Sequence, residues 1–71
     1  MSNYLFLVRD LAEDTENFYL LQNCISREDA ESKFTKKFLP YVEFNFNDMV
    51  EMFKDKEVYI HCLDYNNIKK L

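Results

Sequence analysis

The chain has 71 residues and a formal net charge of −4, with 48% apolar residues, seven Phe, five Tyr and no Gly. This length predicts one compact domain spanning residues 1–71, and the aromatic, apolar composition argues against disorder. The lack of Gly excludes glycine loops that hold phosphates or dinucleotides, and the lack of a basic stripe argues against binding nucleic acid through its phosphates.

The first two predicted elements are strands. Segment 4–9 (YLFLVR) is an apolar run of strand length, and segment 18–25 (FYLLQNCI) is a second one. The acidic segment 10–17 between them predicts a hairpin loop, so the strands should pair antiparallel. Without Gly, the turns must use Asn or Asp, which tolerate positive φ. The Asn residues available for turns are Asn17, Asn23, Asn45, Asn47, Asn66 and Asn67.

A helix is predicted next. Ser26 offers an N-cap, and Ile25 stands where it could pack on Ala30 as a hydrophobic staple. Apolar residues recur every four positions at Ala30, Phe34 and Phe38. The residue before a proline is disfavoured in helices, so the helix should end near Leu39.

The remaining chain is less regular. Segment 41–47 alternates apolar and polar residues, which fits either a strand or an extended connector that inserts aromatic side chains into the core. Asp48 and the helical spacing after it predict a short helix over 48–55. Segment 57–65 (EVYIHCLDY) then reads as a strand. The polar tail 66–71 has two apolar anchors, Ile68 and Leu71.

The order β-β-α-(β)-α-β predicts an α+β fold. We expect a small, mostly antiparallel sheet of three to four strands with two helices packed on one face.

His61 and Cys62 are adjacent, which raises the question of a reactive pair. On a strand, neighbouring side chains point to opposite faces, so the thiol and the imidazole cannot form a dyad. Cys62 and Cys24 are expected to be reduced, buried thiols. A disulfide between them, a zinc site that also uses His61, and a catalytic thiol are the less favoured alternatives. His61 reads as a surface histidine or a proton-sensitive contact at an interface. We therefore expect no enzyme activity, no cofactor and no metal.

The aromatic residues of the strands suggest an interaction surface. One face is predicted to form the core, with Leu5, Leu7, Phe18, Leu20, Val58, Ile60 and Cys62. The other is predicted to hold Tyr4, Phe6, Val8, Tyr19, Leu21, Tyr59, His61, Leu63 and Tyr65. Two short helices cover only one face, and Tyr-rich surfaces are typical of protein interfaces. The predicted contact residues on this face are Tyr4, Phe6, Tyr19, Tyr59, His61 and Tyr65. Alternatively, another segment folds over it.

The acidic loop is a second candidate contact. Asp10, Glu13, Asp14 and Glu16 bring four carboxylates into seven positions. They either dock on a basic patch or imitate nucleic-acid phosphates, or they form a solvated loop that aids solubility.

The composition also bears on origin. Residues with A/T-rich codons, such as Phe, Tyr, Asn and Lys, are abundant, and Gly, Ala, Arg and Pro are scarce, which suggests a low-GC bacterium or its phage. No segment has the length of a membrane span, and the N-terminus lacks the basic region of a secretory signal. We expect a cytoplasmic protein.

These observations favour a small non-enzymatic protein-binding module. In this interpretation, a phage or mobile element encodes an inhibitor or modulator of a host protein, which acts through the aromatic face and the acidic loop. The chain could also form a homodimer through that face. The alternative is a nucleic-acid mimic or a nucleic-acid-associated accessory protein. We expect the chain to bind neither nucleic acid directly nor a membrane.

Overall fold

The computed structural model describes residues 1–41 and 43–65. The predictions for Val42 and for the tail 66–71, including its anchors Ile68 and Leu71 and its turn residues Asn66 and Asn67, lie outside the described residues. Within them the order is β-β-α-α-β, with β1 at Ser2–Asp10, β2 at Thr15–Cys24, α1 at Arg27–Phe38, α2 at Phe46–Lys54 and β3 at Val58–Asp64. The strands form one antiparallel sheet in the order β2-β1-β3. The predicted α+β class is confirmed.

The hairpin between β1 and β2 is tighter than predicted. Its turn covers only residues 11–14, because Asp10 already belongs to β1 and residues 15–17 already belong to β2. The backbone N–H of Glu13 donates to Asp10 Oδ1 at 3.0 Å, and Asp14 has a φ of 54°. This local hydrogen bond and a left-handed Asp allow a compact turn without Gly.

An irregularity in β2 also uses an Asn. The register between β1 and β2 shifts near Ser2 and Tyr4, and Asn23 has a φ of 59°. Its N–H donates to Asn3 Oδ1 at 3.1 Å. Because of this bulge, Leu21 and Cys24 are both buried on the same side of the sheet.

Helix α1 begins as the sequence predicts. Ser26 is the N-cap, and its Oγ accepts a hydrogen bond from the N–H of Asp29 at 3.2 Å. The helix ends at Phe38, before Pro40. The predicted staple is wrong, because Ile25 is 78% exposed. Asp29 stabilises this helix start instead: its Oδ2 accepts from the N–H of Ile25 at 2.9 Å.

Helix α2 starts two residues before the predicted position. Asn45, not Asp48, is the N-cap, and its Oδ1 accepts from the N–H of Asp48 at 2.8 Å. With this start Phe46, Met49 and Phe53 share one side of the helix, and they pack against the core. The described part of segment 41–47 is therefore a connector and a helix start rather than a strand.

The core lies between the sheet and the two helices. Phe6 on the central strand is fully buried, and its ring stacks on Phe34 of α1 with centroids 4.3 Å apart. Phe46 of α2 meets the ring of Phe6 edge-on at 5.8 Å. Met49 and Cys24 are also fully buried. These contacts join both helices to the same side of β1.

This arrangement corrects the predicted faces of β1 and β2. Tyr4, Phe6 and Val8 are buried under the helices, and alternation places Leu5 and Leu7 on the other side. Register puts Tyr19 and Leu21 with the buried set, and Phe18 and Leu20 opposite. The prediction fails because both faces of β1 are apolar, so polarity did not distinguish them. The space between the sheet and the helices is filled by the ring of Phe6 and the helix rings that contact it, Phe34 and Phe46. For β3 the predicted faces agree with the structure: Ile60 is buried and Cys62 packs on the core, whereas His61 and Leu63 are exposed.

Candidate interaction surface

The sheet face turned away from the helices, here called the open face, consists of three cross-strand rows. Each row has its middle residue on β1, with one neighbour on β2 and one on β3. The rows are Leu20–Leu5–Leu63, Phe18–Leu7–His61 and Glu16–Arg9–Tyr59. These residues share a face because side chains alternate along each strand and align across antiparallel pairs.

The open face is apolar and accessible. Phe18 is 60% exposed, Leu20 45% and Leu63 44%, whereas Leu5 and Leu7 of the central strand are half-buried between them. Single exposed apolar side chains are normal on protein surfaces, but a contiguous group of them marks an interaction site or an aggregation liability. The open face is such a group.

Charge on the open face is balanced. Arg9 Nε lies 3.4 Å from Glu16 Oε1 in the row nearest the hairpin turn. These are the two charged side chains on this face among the described strand residues. The face is therefore electrically neutral, although the chain carries a net charge of −4.

The structure separates the predicted contact residues into two groups. Tyr59 and His61 lie on the open face, and the exposed Tyr65 follows the end of β3. The prediction placed Tyr4, Phe6 and Tyr19 with them, and that placement is wrong. Tyr4 and Phe6 are buried on the helix side. Tyr19 is partly exposed, but its ring packs edge-on against Phe34 and Phe38.

Four apolar open-face residues were assigned to the wrong face by the sequence prediction. They are Leu5, Leu7, Phe18 and Leu20, which the prediction assigned to the core. A signal for the correct register was present in the hairpin, where Arg9 and Glu16 carry opposite charges. Pairing these two residues directly across the strands fixes the register of β1 on β2. It does not decide which face the helices cover.

The acidic residues of the hairpin have different local roles. Asp10 is half-buried and accepts the turn hydrogen bond from Glu13, and Glu16 pairs with Arg9. Glu13 and Asp14 lie exposed in the turn itself. Two of the four carboxylates thus support the local structure, and the carboxylates of Glu13 and Asp14, exposed in the turn, are the ones best placed to contact a basic partner.

The cysteine and histidine of β3 point to opposite faces. Cys62 is half-buried on the helix side, whereas His61 is exposed on the open face. Burial raises the pKa of the Cys62 thiol, so less of the reactive thiolate is present at neutral pH. Cys24 and Cys62 are both free thiols. Across residues 1–41 and 43–65, no group of three or more His, Cys, Asp or Glu side chains is placed to hold a metal ion.

The helix side of the molecule has clefts that a small ligand could enter. One, of about 360 Å³, lies between α1 and the connector and is lined by Glu31, Thr35 and Phe44 among others. Another, of about 240 Å³, has Phe38 and Phe53 in its lining. The groups with shifted pKa values line neither cleft. One of these groups is the Cys62 thiol. The other two are Asp29, whose pKa is lowered by the hydrogen bond from the Ile25 N–H, and Lys33, whose pKa is raised by its hydrogen bond to Asp29.

No helix in the described part of the chain is long and apolar enough to cross a membrane. Comparison with known protein families, curated proteins and solved structures finds no match to this chain.

Proposed function

We propose that the chain is a non-enzymatic protein-binding module whose open face is its main contact surface. The observation that carries this proposal is the neutral, apolar set of three rows, which is exposed on the sheet face turned away from both described helices. Burying exposed Phe and Leu side chains favours association by about 25 cal/mol per Å² of apolar area removed from water. A flat sheet face with aromatic and aliphatic side chains suits another protein surface better than a small molecule, which prefers a concave site.

Within this class, we propose an inhibitor or modulator of a host protein, encoded by a phage or mobile element and acting in the cytoplasm. The small size and the low-GC composition support this origin. Such a protein acts by occupying a surface of its target and needs no reactive group of its own. The exposed Glu13 and Asp14 of the hairpin turn would supply a secondary contact with a basic patch.

Site-specific photo-crosslinking tests the open face as a contact surface. A photoreactive residue is introduced at Leu20, and a matched one at Leu11, which is similarly exposed but lies in the hairpin turn. Each purified protein is irradiated alone and in an extract of a low-GC bacterium. We expect protein adducts from position 20 that excess unlabelled chain suppresses, and few from position 11. Equal adducts at both positions, or none at position 20, would contradict the proposal.

A nucleic-acid mimic remains the second candidate, because Glu13 and Asp14 are exposed together at the turn. A mimic binds a basic protein through charge, so its affinity should fall steeply as salt rises. Reversing both charges, Glu13→Lys with Asp14→Lys, should then abolish binding. Binding through the apolar open face should instead survive both the salt and the charge reversal.

A further inference from the structure

We infer that the partner of the open face is a second copy of this chain. The two sheets would pack face to face, and the dimer would have four layers in the order helix–sheet–sheet–helix. This inference rests on the proposed function, because it names the partner of the same surface. In the dimer the open face is no longer available to a host protein, so contact with the host would pass to the helices and to the exposed Glu13 and Asp14 of the hairpin turns.

Charge supports a second copy as the partner. Two molecules that each carry −4 repel one another, so they can associate only through regions that are neutral or self-complementary. The open face fits this condition, because its two charges, Arg9 and Glu16, already pair with each other. A strongly basic partner would bind acidic surface, but the carboxylate of the open face, Glu16, is already paired with Arg9. A neutral, apolar face is best matched by another neutral, apolar face.

The shape of the molecule supports the same partner. Its extents of 31 × 31 × 15 Å correspond to one sheet with a single layer of helices. Three strands spaced about 4.8 Å apart and about seven residues long give a sheet plane of roughly 14 by 23 Å. Two such faces with protruding side chains bury on the order of 1,000 Å² together, near the lower limit for a specific interface. The open face is thus large enough for a dimer, provided that nearly all of it is used.

The open face can also pack on a copy of itself. Leu5 and Leu7 are half-buried along the central strand, whereas Phe18 and Leu20 on one side and Leu63 on the other are exposed. In stacked sheets, side chains of the two inner faces interdigitate at a sheet separation of about 10 Å. A twofold axis would bring the same apolar residues of both copies into one interface.

Solution mass over a dilution series tests the inference. Light scattering on a sizing column should give twice 8.7 kDa for the full chain at high concentration. Leu20→Glu should reduce the mass to that of the monomer, because it buries a charge in the apolar part of the interface. Leu11→Glu is the matched control, since Leu11 is 48% exposed in the hairpin turn, and it should stay dimeric. Circular dichroism confirms that both variants are folded.

Several outcomes would overturn the inference. They are a monomeric full chain at high concentration, a Leu20→Glu variant that stays dimeric, or loss of the dimer in Leu11→Glu. A variant that ends at Tyr65 should remain dimeric; if only this shortened chain dimerises, residues 66–71 occupy the face in the full chain and the inference is wrong.

Crosslinking separates this inference from the proposed function. The full chain could be monomeric while the photoreactive residue at position 20 still captures another protein, in competition with unlabelled chain. In that case the dimer is wrong, and the proposal of a protein-binding module is retained. If the chain is monomeric and position 20 captures nothing, both fail. Adducts of twice the chain mass with purified protein alone support both.

Discussion

Phe6 holds the two layers of the molecule together. It has no exposed surface, and its ring contacts Phe34 of α1 and Phe46 of α2. We expect Phe6→Ala to lower the free energy of unfolding by about 3–5 kcal/mol, because it removes a buried ring and leaves a cavity. Small domains have little stability in reserve, so this variant should be largely unfolded at 25 °C. Urea denaturation followed by circular dichroism measures the change.

The matched control for this prediction is Tyr41→Ala. Tyr41 is 97% exposed, so its loss should change the free energy of unfolding by less than about 0.5 kcal/mol. If Phe6→Ala unfolds in the same urea concentration as wild type, the observed core is incorrect.

Asp29 gives the start of α1 a dependence on pH. The N–H of Ile25 and the Lys33 ammonium, 3.0 Å away, hold the pKa of its carboxyl below the ordinary value of 3.8. A lowered pKa means that the ionised carboxylate stabilises the fold above the ordinary value, and that this contribution is lost as the pH falls through the folded pKa. Asp29→Asn should therefore be less stable than wild type at pH 7, with the difference shrinking below about pH 4.

Urea denaturation at several pH values between 7 and 2 measures this difference. Glu51→Gln, an exposed carboxylate in the middle of α2, serves as the control and should show a difference that changes much less with pH. A constant difference between Asp29→Asn and wild type over the whole range would contradict the assigned role.

At the scale of an element, α2 depends on its cap. Asn45 Oδ1 accepts from the N–H of Asp48, and Asn45→Ala should lower the free energy of unfolding by about 1 kcal/mol. Asn45→Asp should retain most of the stability, because a carboxylate also caps the helix. Asn47→Ala is the control: Asn47 is exposed inside the first turn, and its replacement should cost less than about 0.5 kcal/mol. Equal losses from Asn45→Ala and Asn47→Ala would argue against the observed cap.

Elements with local signals could be predicted from the sequence. Ser26 before an acidic turn, the spacing of Ala30, Phe34 and Phe38, and the stop at Pro40 all act within a few residues, and α1 agrees with each. The start of α2 was harder, because Asn45 and Asp48 are both capable caps. The structure selects Asn45, which brings Phe46 into the helix and onto Phe6. That choice depends on tertiary packing, which local patterns do not contain.

The candidate surface was predictable in kind, but only its β3 residues were assigned to the correct face. Three strands and two helices, the elements of the described residues, leave one sheet face that neither helix covers. Which face is covered depends on the rings of Phe34 and Phe46, because they select Phe6 rather than Leu7 as their neighbour across the layer. For β3 the predicted buried face is correct, since the polar His61 identifies the exposed side of the strand. On β1, positions 4–8 contain no charged or strongly polar residue that would identify the exposed side.

At the scale of the whole molecule, a dimer would link stability to concentration. Association through the open face stabilises the folded chain by mass action. The thermal midpoint of unfolding should therefore rise with protein concentration over a hundredfold range. Leu63→Glu should remove this dependence, because Leu63 lies on the open face, and Leu11→Glu should preserve it. Calorimetry at several concentrations measures the midpoint, and a midpoint independent of concentration in the full chain would argue against association.

The strand order β2-β1-β3 also has a consequence during synthesis on the ribosome. β1 pairs on one side with β2, which follows it directly in the chain. On the other side it pairs with β3, so Tyr4 cannot pair with Asp64 until nearly the whole chain has been synthesised. At about 5–20 residues per second, translation leaves one edge of the central strand without its partner for several seconds. An unpaired apolar edge is prone to pair with other chains. The nascent hairpin is therefore the stage at which this protein is most exposed to misassembly, and the stage at which a chaperone would have the most to protect.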